Sequence, residues 1–299
     1  MVREVQQEIA SLIEDGQFAK ANEQLLLMYK EDKKNSEVLY LLGYIAFKTD
    51  DYDQAIAYLN KSLALNDRDY RTHQVLGQAL GLKAESAGGL KSAMLLPKIR
   101  NAFQKALELN EQSLDALEGL FMFYLFAPGL AGGDMKKADE YAQKISRTHP
   151  ARGLMMRALQ LLRRNQPQQA MEAFDQATES GQNDADIQMR AARFFLHQKA
   201  YDKAASLFER YVALKPHDAA GYNGKGRVFL DQGRAEEALQ EFDRALQLNY
   251  NFIPAHLNRA EALQKLRRGD EARREYELVI ERRPKSPAAA RAKAALAKK

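Results

Sequence analysis

The stretch Gly221–Asn249, GYNGKGRVFLDQGRAEEALQEFDRALQLN, opens with three glycines and a lysine within six residues. Such a run invites a phosphate-loop reading, and that reading fails. A phosphate loop needs a glycine, four residues, then Gly-Lys-Ser/Thr, so that backbone amides cradle the phosphates and a hydroxyl holds magnesium. Here Gly226 follows Gly224-Lys225, and Ala219 stands where the first glycine is required. The preceding VALKPHDAA leads out of a helical pattern, not a strand.

Sliding the stretch along the chain explains it. Gly226 is followed at fixed distances by Ala238, Phe242 and Ala245. The same spacing returns as Gly43, Ala55, Leu59 and Ser62, and as Ala192, Ala204, Phe208 and Tyr211. It appears again as Ala260, Ala272, Tyr276 and Val279, and as Ala158, Ala170, Phe174 and Ala177. Ala204, Ala238 and Ala272 are 34 residues apart. Small residues at two such positions let paired helices approach closely, and the aromatic fills the layer between them. Gly233, in Asp231-Gln232-Gly233, suits the left-handed residue that ends a helix. Gly224 and Gly226 then lie inside a helix. Glycine there costs about 1 kcal/mol against alanine, so a packing reason is expected.

A 34-residue period of small, small, aromatic, small positions resembles the tetratricopeptide repeat (TPR) family. The resemblance implies an all-α, right-handed superhelical solenoid, each repeat an antiparallel pair of helices A and B. Repeats are expected to begin near Val2, Ser36, Tyr70, Leu114, Ala151, Ala185, Ala219 and Ile253. A capping helix over 287–299 closes about eight helix pairs, because an end repeat cannot bury its outer face alone. With no linker or low-complexity run, residues 1–299 read as a single solenoid domain.

Two repeats are too long. The third carries ten extra residues around AESAGGLKSAMLLP and the fourth five, in APGLAGG. Glycine and alanine dominate both, with Pro97 and Pro128 as breakers, so both read as ordered or semi-ordered loops. Both widen the A–B turn of adjacent repeats and should emerge on one edge. The paired insertions also resemble a set of bacterial TPR proteins, many made with export signals. Met1 directly before the first repeat suggests a start trimmed to a mature terminus. Exported or periplasmic placement follows in that case, and cytoplasmic placement otherwise. The chain has no cysteine, which suits an oxidising compartment without requiring one.

Composition and chemistry narrow the function. No apolar run is long enough for a transmembrane span. Net charge is +5, and residues Asn251–Lys299 carry 13 Lys/Arg against six Asp/Glu. The runs there are mixed in sign and the aromatics Phe242 and Tyr276 take core positions, so nucleic acid is not an expected partner. His73, His149, His197, His217 and His256 are scattered over different repeats with no metal-ligand spacing. No nucleophile elbow occurs among the serines. Neither catalytic or metal residues nor a cofactor are expected, and the chain does not read as an enzyme.

In the family that this sequence resembles, helix A lines a concave groove that takes a protein or peptide partner. Transferred onto this chain, the groove positions are Tyr40, Tyr44, Phe47, Met122, Phe126 and Met155 towards the N-terminal half. Towards the C-terminal half they become Arg190, Arg193, Asn223, Arg227 and Asn258. The chaperone-tail clamp of some members is not matched, since Met189, Gly224 and Pro254 stand at clamp positions. The expected ligand is therefore a segment with an apolar stretch and a carboxylate-bearing end, bound by a scaffold of a cell-envelope assembly. The alternative is a structural, self-assembling role carried by the inserted loops.

Overall fold

The computed structural model describes residues 2–87, 89–284 and 286–297. Gly88, in the third-repeat insertion, and Lys298 and Lys299, at the end of the expected cap, lie outside the described residues, as does Met1. Among the described residues there are seventeen α-helices, one 3₁₀ turn and no strand. The fold is an all-α repeat solenoid. Contacts divide the chain after Arg164 into two compact units.

The first unit holds α1 (Val2–Glu14), α2 (Phe18–Glu31), α3 (Ser36–Lys48), α4 (Tyr52–Leu65), α5 (Tyr70–Ala87) and α6 (Gly89–Leu109). It ends with α7 (Leu114–Phe126), α8 (Met135–Thr148) and α9 (Pro150–Arg163). The second unit starts with α10 (Pro167–Ser180), followed by the pairs α11 (Ala185–His197) with α12 (Tyr201–Leu214) and α13 (Ala219–Asp231) with α14 (Ala235–Leu248). The pair α15 (Ile253–Lys265) with α16 (Gly269–Arg282) and the cap α17 (Pro287–Leu296) complete it.

The glycines of the opening stretch are shaped by aromatic rings. A Cβ on Gly226 would lie 2.5 Å from Cε1 of Phe242, in the partner helix of the same repeat. A Cβ on Gly224 would lie 2.2 Å from Cε1 of Phe208, in the preceding repeat. Helix α13 therefore presents a flat backbone to rings on both sides. The third repeat repeats the device: Phe103 sits against Gly77 of α5 and Gly119 of α7, at 2.8 and 2.4 Å from their built Cβ positions. The large B-helix residues Leu59, Phe103, Phe174, Phe208, Phe242 and Tyr276 are all buried. In the fourth repeat the volumes are exchanged: Phe121 takes the small A-helix register and Ala142 the large B-helix register, and both are buried. Total volume is kept, which cores tolerate better than a net change.

Six of the A–B turns share one backbone solution. Gly16, Asp50, Asn165, Lys199, Gly233 and Arg267 all have positive φ and all occupy the same repeat position. At Asp50 the residue's N–H bonds to Phe47 O at 3.1 Å and the next N–H, of Asp51, reaches back to Ala46 O at 2.8 Å. The same backward bond joins Ala200 to Phe195, Arg234 to Phe229 and Arg268 to Leu263, each at 2.9 Å. This paired closure satisfies carbonyls that a helix end leaves bare. Side-chain caps at Asn35, Ser113, Asp184, Asp218 and Ser286 start five of the following helices by accepting backbone N–H bonds.

The third-repeat insertion is not a loop, which corrects the expectation. It lengthens both helices: α5 has 18 residues and α6 has 21, where α3 and α4 have 13 and 14. Pro97 lies within α6. Aligned from the helix end, Pro97 falls on the second residue of a regular B helix, where proline is readily accommodated. The helix continues outward from it through Leu90, Lys91, Ala93, Met94 and Leu95, mostly good helix formers. The fourth insertion is an ordered loop with a 3₁₀ turn, Gly129–Ala131, that packs against α6. Gly133 is obligatory there, since a Cβ would fall 1.8 Å from Ala127 O.

Candidate partner-binding surface

In the first unit, the aromatic positions of α3 come together. Tyr40, Tyr44 and Phe47 are half-buried, and the Tyr40 and Tyr44 rings are 6.2 Å apart. The i, i+4 spacing of an α-helix puts the two on one stripe. Cations flank them: the Arg71 guanidinium lies 4.6 Å from the Tyr40 ring centre and Lys48 Nζ 5.6 Å from that of Tyr44. Arg71 is fixed by Glu37 at 2.6 Å and Asp69 at 3.0 Å. Burial pushes the Tyr40 hydroxyl up to about 12, against the pull of Arg71 in the other direction. Tyr40 therefore stays a neutral donor across the physiological range. On α7, Met122 is 36% exposed and Phe126 50% exposed, so both are open to a partner. Met155 is fully buried, because α9 turns that face into the core, and it drops out of the accessible set. The polar residues beside these positions are spoken for: Gln74 Nε2 donates to Asp115 at 2.6 Å, and Arg152 pairs with buried Glu118 at 3.0 Å.

In the second unit, most of the expected anion-binding groups are already committed to carboxylates or amides. Arg190 pairs with Asp186 one turn back at 2.8 Å. Arg227 bridges Asp231 at 2.9 Å and Glu261 at 2.8 Å. Burial works against the Arg227 charge, but the two carboxylates outweigh it and hold the guanidinium above its ordinary value. Glu261 also receives Arg291 of the cap at 2.5 Å. Asn258, buried, donates to Asn223 Oδ1 at 2.9 Å. The Arg227–Glu261 and Asn258–Asn223 bonds tie the successive A helices α13 and α15 together.

Arg193 is different. It is exposed and has no ion-pair partner among the described residues. It opens into a pocket of about 510 Å³ with His197, Lys199, Tyr201, Asp231 and Lys265. Lys199 sits at the positive-φ turn position, and Lys265 Nζ donates to Leu230 O at 3.0 Å. Asp231 is the pocket's one acid, and Arg227 holds it. The lining is thus net basic. Lys265 and Lys199 were not foreseen, although Lys265 stands in the register of His197 and Asp231, successive repeats apart. Among the described residues, no group of His, Asp and Glu converges as a metal site, and no helix is long and apolar enough to cross a membrane.

Family models for the tetratricopeptide repeat match residues 155–219 and 201–251, and residues 12–79 and 229–296. No curated protein matches the chain in sequence. Among solved structures, yeast Tom70 superposes with a TM-score of 0.63 at 15% identity, over 95% of this chain. The chain spans 60% of the length of that Tom70. A tetratricopeptide repeat protein from Parabacteroides merdae gives 0.52 at 16% identity, covering 87% of this chain and 98% of that one. A monomeric mutant of IFIT1, solved with Gppp-AAAA, gives 0.51 at 17% identity, covering 91% of this chain and 67% of that one. At these identities the likeness is one of fold.

Proposed function

Because the chain belongs to the tetratricopeptide repeat family, a family of protein–protein interaction scaffolds, we propose that its A-helix faces bind protein partners, the first unit through apolar contact and the second through a partner's carboxylates. The observation that carries this is the uncommitted Arg193 in a net basic pocket, beside neighbours whose charges are mutually paired. Guanidinium forks suit carboxylates in geometry and charge. In the first unit, the ledge of Tyr40, Tyr44 and Phe47, with Met122 and Phe126 open on α7, offers apolar contact. Exposed aromatic and arginine anchors are the groups that most often dominate such binding.

The test is selection of peptides from a random library on the immobilised protein. Selected binders should carry Asp or Glu, and Arg193→Glu should weaken them in a salt-sensitive way. Tyr44→Ala should weaken binding with little salt dependence. If neither substitution changes the affinity of the selected peptides, the A-helix faces are not the binding surface.

A further inference from the structure

Among the described residues, the third-repeat insertion builds an exposed apolar tip. Helix α6 starts seven residues ahead of the regular B-helix register, which amounts to about 10 Å of extra helix. On that projection Leu90 is 79% and Met94 68% exposed, one turn apart and on one stripe. Leu82, where α5 leaves the regular register, is 39% exposed. Leu130, on the 3₁₀ turn that packs against α6, is fully exposed. Among the described residues, four of the nine exposed large apolar side chains thus belong to these two insertions.

The charges beside them are mostly basic. Lys91 and Lys98 are exposed and have no ion-pair partner among the described residues. Lys83 is held by Asp53. Between Lys83 and Lys98 the single acid is Glu85. Protruding leucine and methionine flanked by free lysines fit an anionic lipid surface, where the apolar groups enter the headgroup–acyl boundary and the ammonium groups stay among the phosphates. A second copy of this chain would bring lysines against lysines. The projection is also about as long as that boundary is deep, roughly 5–10 Å. We propose that this tip docks the protein on an anionic membrane surface, peripherally and without a span.

The sequence contains no tryptophan, so Leu90→Trp makes the tip's indole the protein's only one. Its emission should shift to the blue with vesicles of phosphatidylcholine mixed with phosphatidylglycerol, and much less with phosphatidylcholine alone. In sedimentation with the mixed vesicles, Leu90→Glu with Met94→Glu should lower partitioning by about tenfold or more. Lys91→Gln with Lys98→Gln should lower it by roughly tenfold, an effect that added salt removes. All four side chains are exposed, so the fold, read by circular dichroism, should not change. The proposal is overturned if the emission does not move, or if the Glu variant still sediments with vesicles, which would assign lipid binding to the basic C-terminal region. It is equally overturned if the emission shift follows protein concentration without lipid, which would make the tip a self-association surface.

Discussion

Replacing Gly226 by alanine sets helix propensity against packing, and the geometry says which wins. Alanine in a helix interior is better than glycine by about 1 kcal/mol. The added methyl would stand 2.5 Å from Phe242 Cε1, 2.7 Å from Cδ1 and 3.0 Å from Cζ. Carbon atoms rest comfortably at about 3.5–4.0 Å, so the ring has to move by roughly 1 Å. Phe242 is fully buried between helices and has nowhere to go. Such overpacking costs about 1–3 kcal/mol, and since the ring is fully enclosed the cost falls towards the upper end, so Gly226→Ala should be net destabilising by up to about 2 kcal/mol. Gly81, also inside an A helix, is the control, because a Cβ there meets nothing within 4 Å. Gly81→Ala should stabilise by about 0.5–1 kcal/mol. In thermal unfolding at roughly 2–4 °C per kcal/mol, the two midpoints should move in opposite directions by a few degrees. Phe242→Leu in the Gly226→Ala background should recover part of the loss. If Gly226→Ala raises the midpoint as Gly81→Ala does, the close-approach reasoning is wrong.

The turns, ion pairs and buried carboxylates give further expectations. Lys199→Gly and Arg267→Gly, at positive-φ positions, should each stabilise by about 1 kcal/mol in denaturant unfolding, since glycine carries no Cβ penalty there. Arg152→Ala should destabilise the fold by about 1–3 kcal/mol because it takes a charged hydrogen-bond partner from the buried Glu118 carboxylate, and Arg152→Met with Glu118→Leu should cost less than that single change. Glu275 is half-buried, which by itself would raise its pKa, but the bond from His256 at 2.6 Å, the His256 charge and Arg259 at 2.7 Å hold it below its ordinary value. A depressed carboxyl stabilises the fold above its unfolded pKa of about 4.3, and that contribution is lost as pH falls through the folded value. Urea unfolding of Glu275→Gln should therefore differ from the unmodified protein near neutrality, and the gap should close progressively below about pH 4.

The repeat was legible because packing writes it into residue size at fixed spacing: Gly226 and Phe242 must be small and large together. The turn conformation was legible only at glycines. Asp50, Lys199 and Arg267 take the same left-handed backbone because the backward N–H bond of the next residue fixes it, and their side chains give no sign of it. The third insertion was misread because Gly89 and Pro97 look like breakers, whereas each falls where a helix begins or restarts its register. On the candidate surface, positions were legible but pairings were missed, and the sequence did hold the signal. Glu37 with Arg71 and Arg227 with Glu261 are each one repeat, 34 residues, apart, and Glu118 with Arg152 keeps the same 34-residue spacing across the longer fourth repeat. A period that stacks equal positions on adjacent helices makes charges at that spacing neighbours. Met155 could not be placed by spacing, because the face that α9 buries depends on what packs around it.

The same rule accounts for Arg193. One repeat on from it stands Arg227, of like charge, and Arg227 turns the other way, to Asp231 and to Glu261 in the next repeat. Glu261 in turn is shared with Arg291. Arg227 thus holds two carboxylates and Glu261 is held by two arginines, and among the described residues none of these acids pairs with Arg193. Among the described residues Arg193 has no carboxylate to hold it, while its neighbours are paired. That combination, one free guanidinium on a surface of fixed ones, lets a ligand carboxylate bind without first displacing an internal partner. It also means that substituting Arg190 or Arg227 perturbs the scaffold as well as any site, and Arg193 is the position where binding can be read without that confusion.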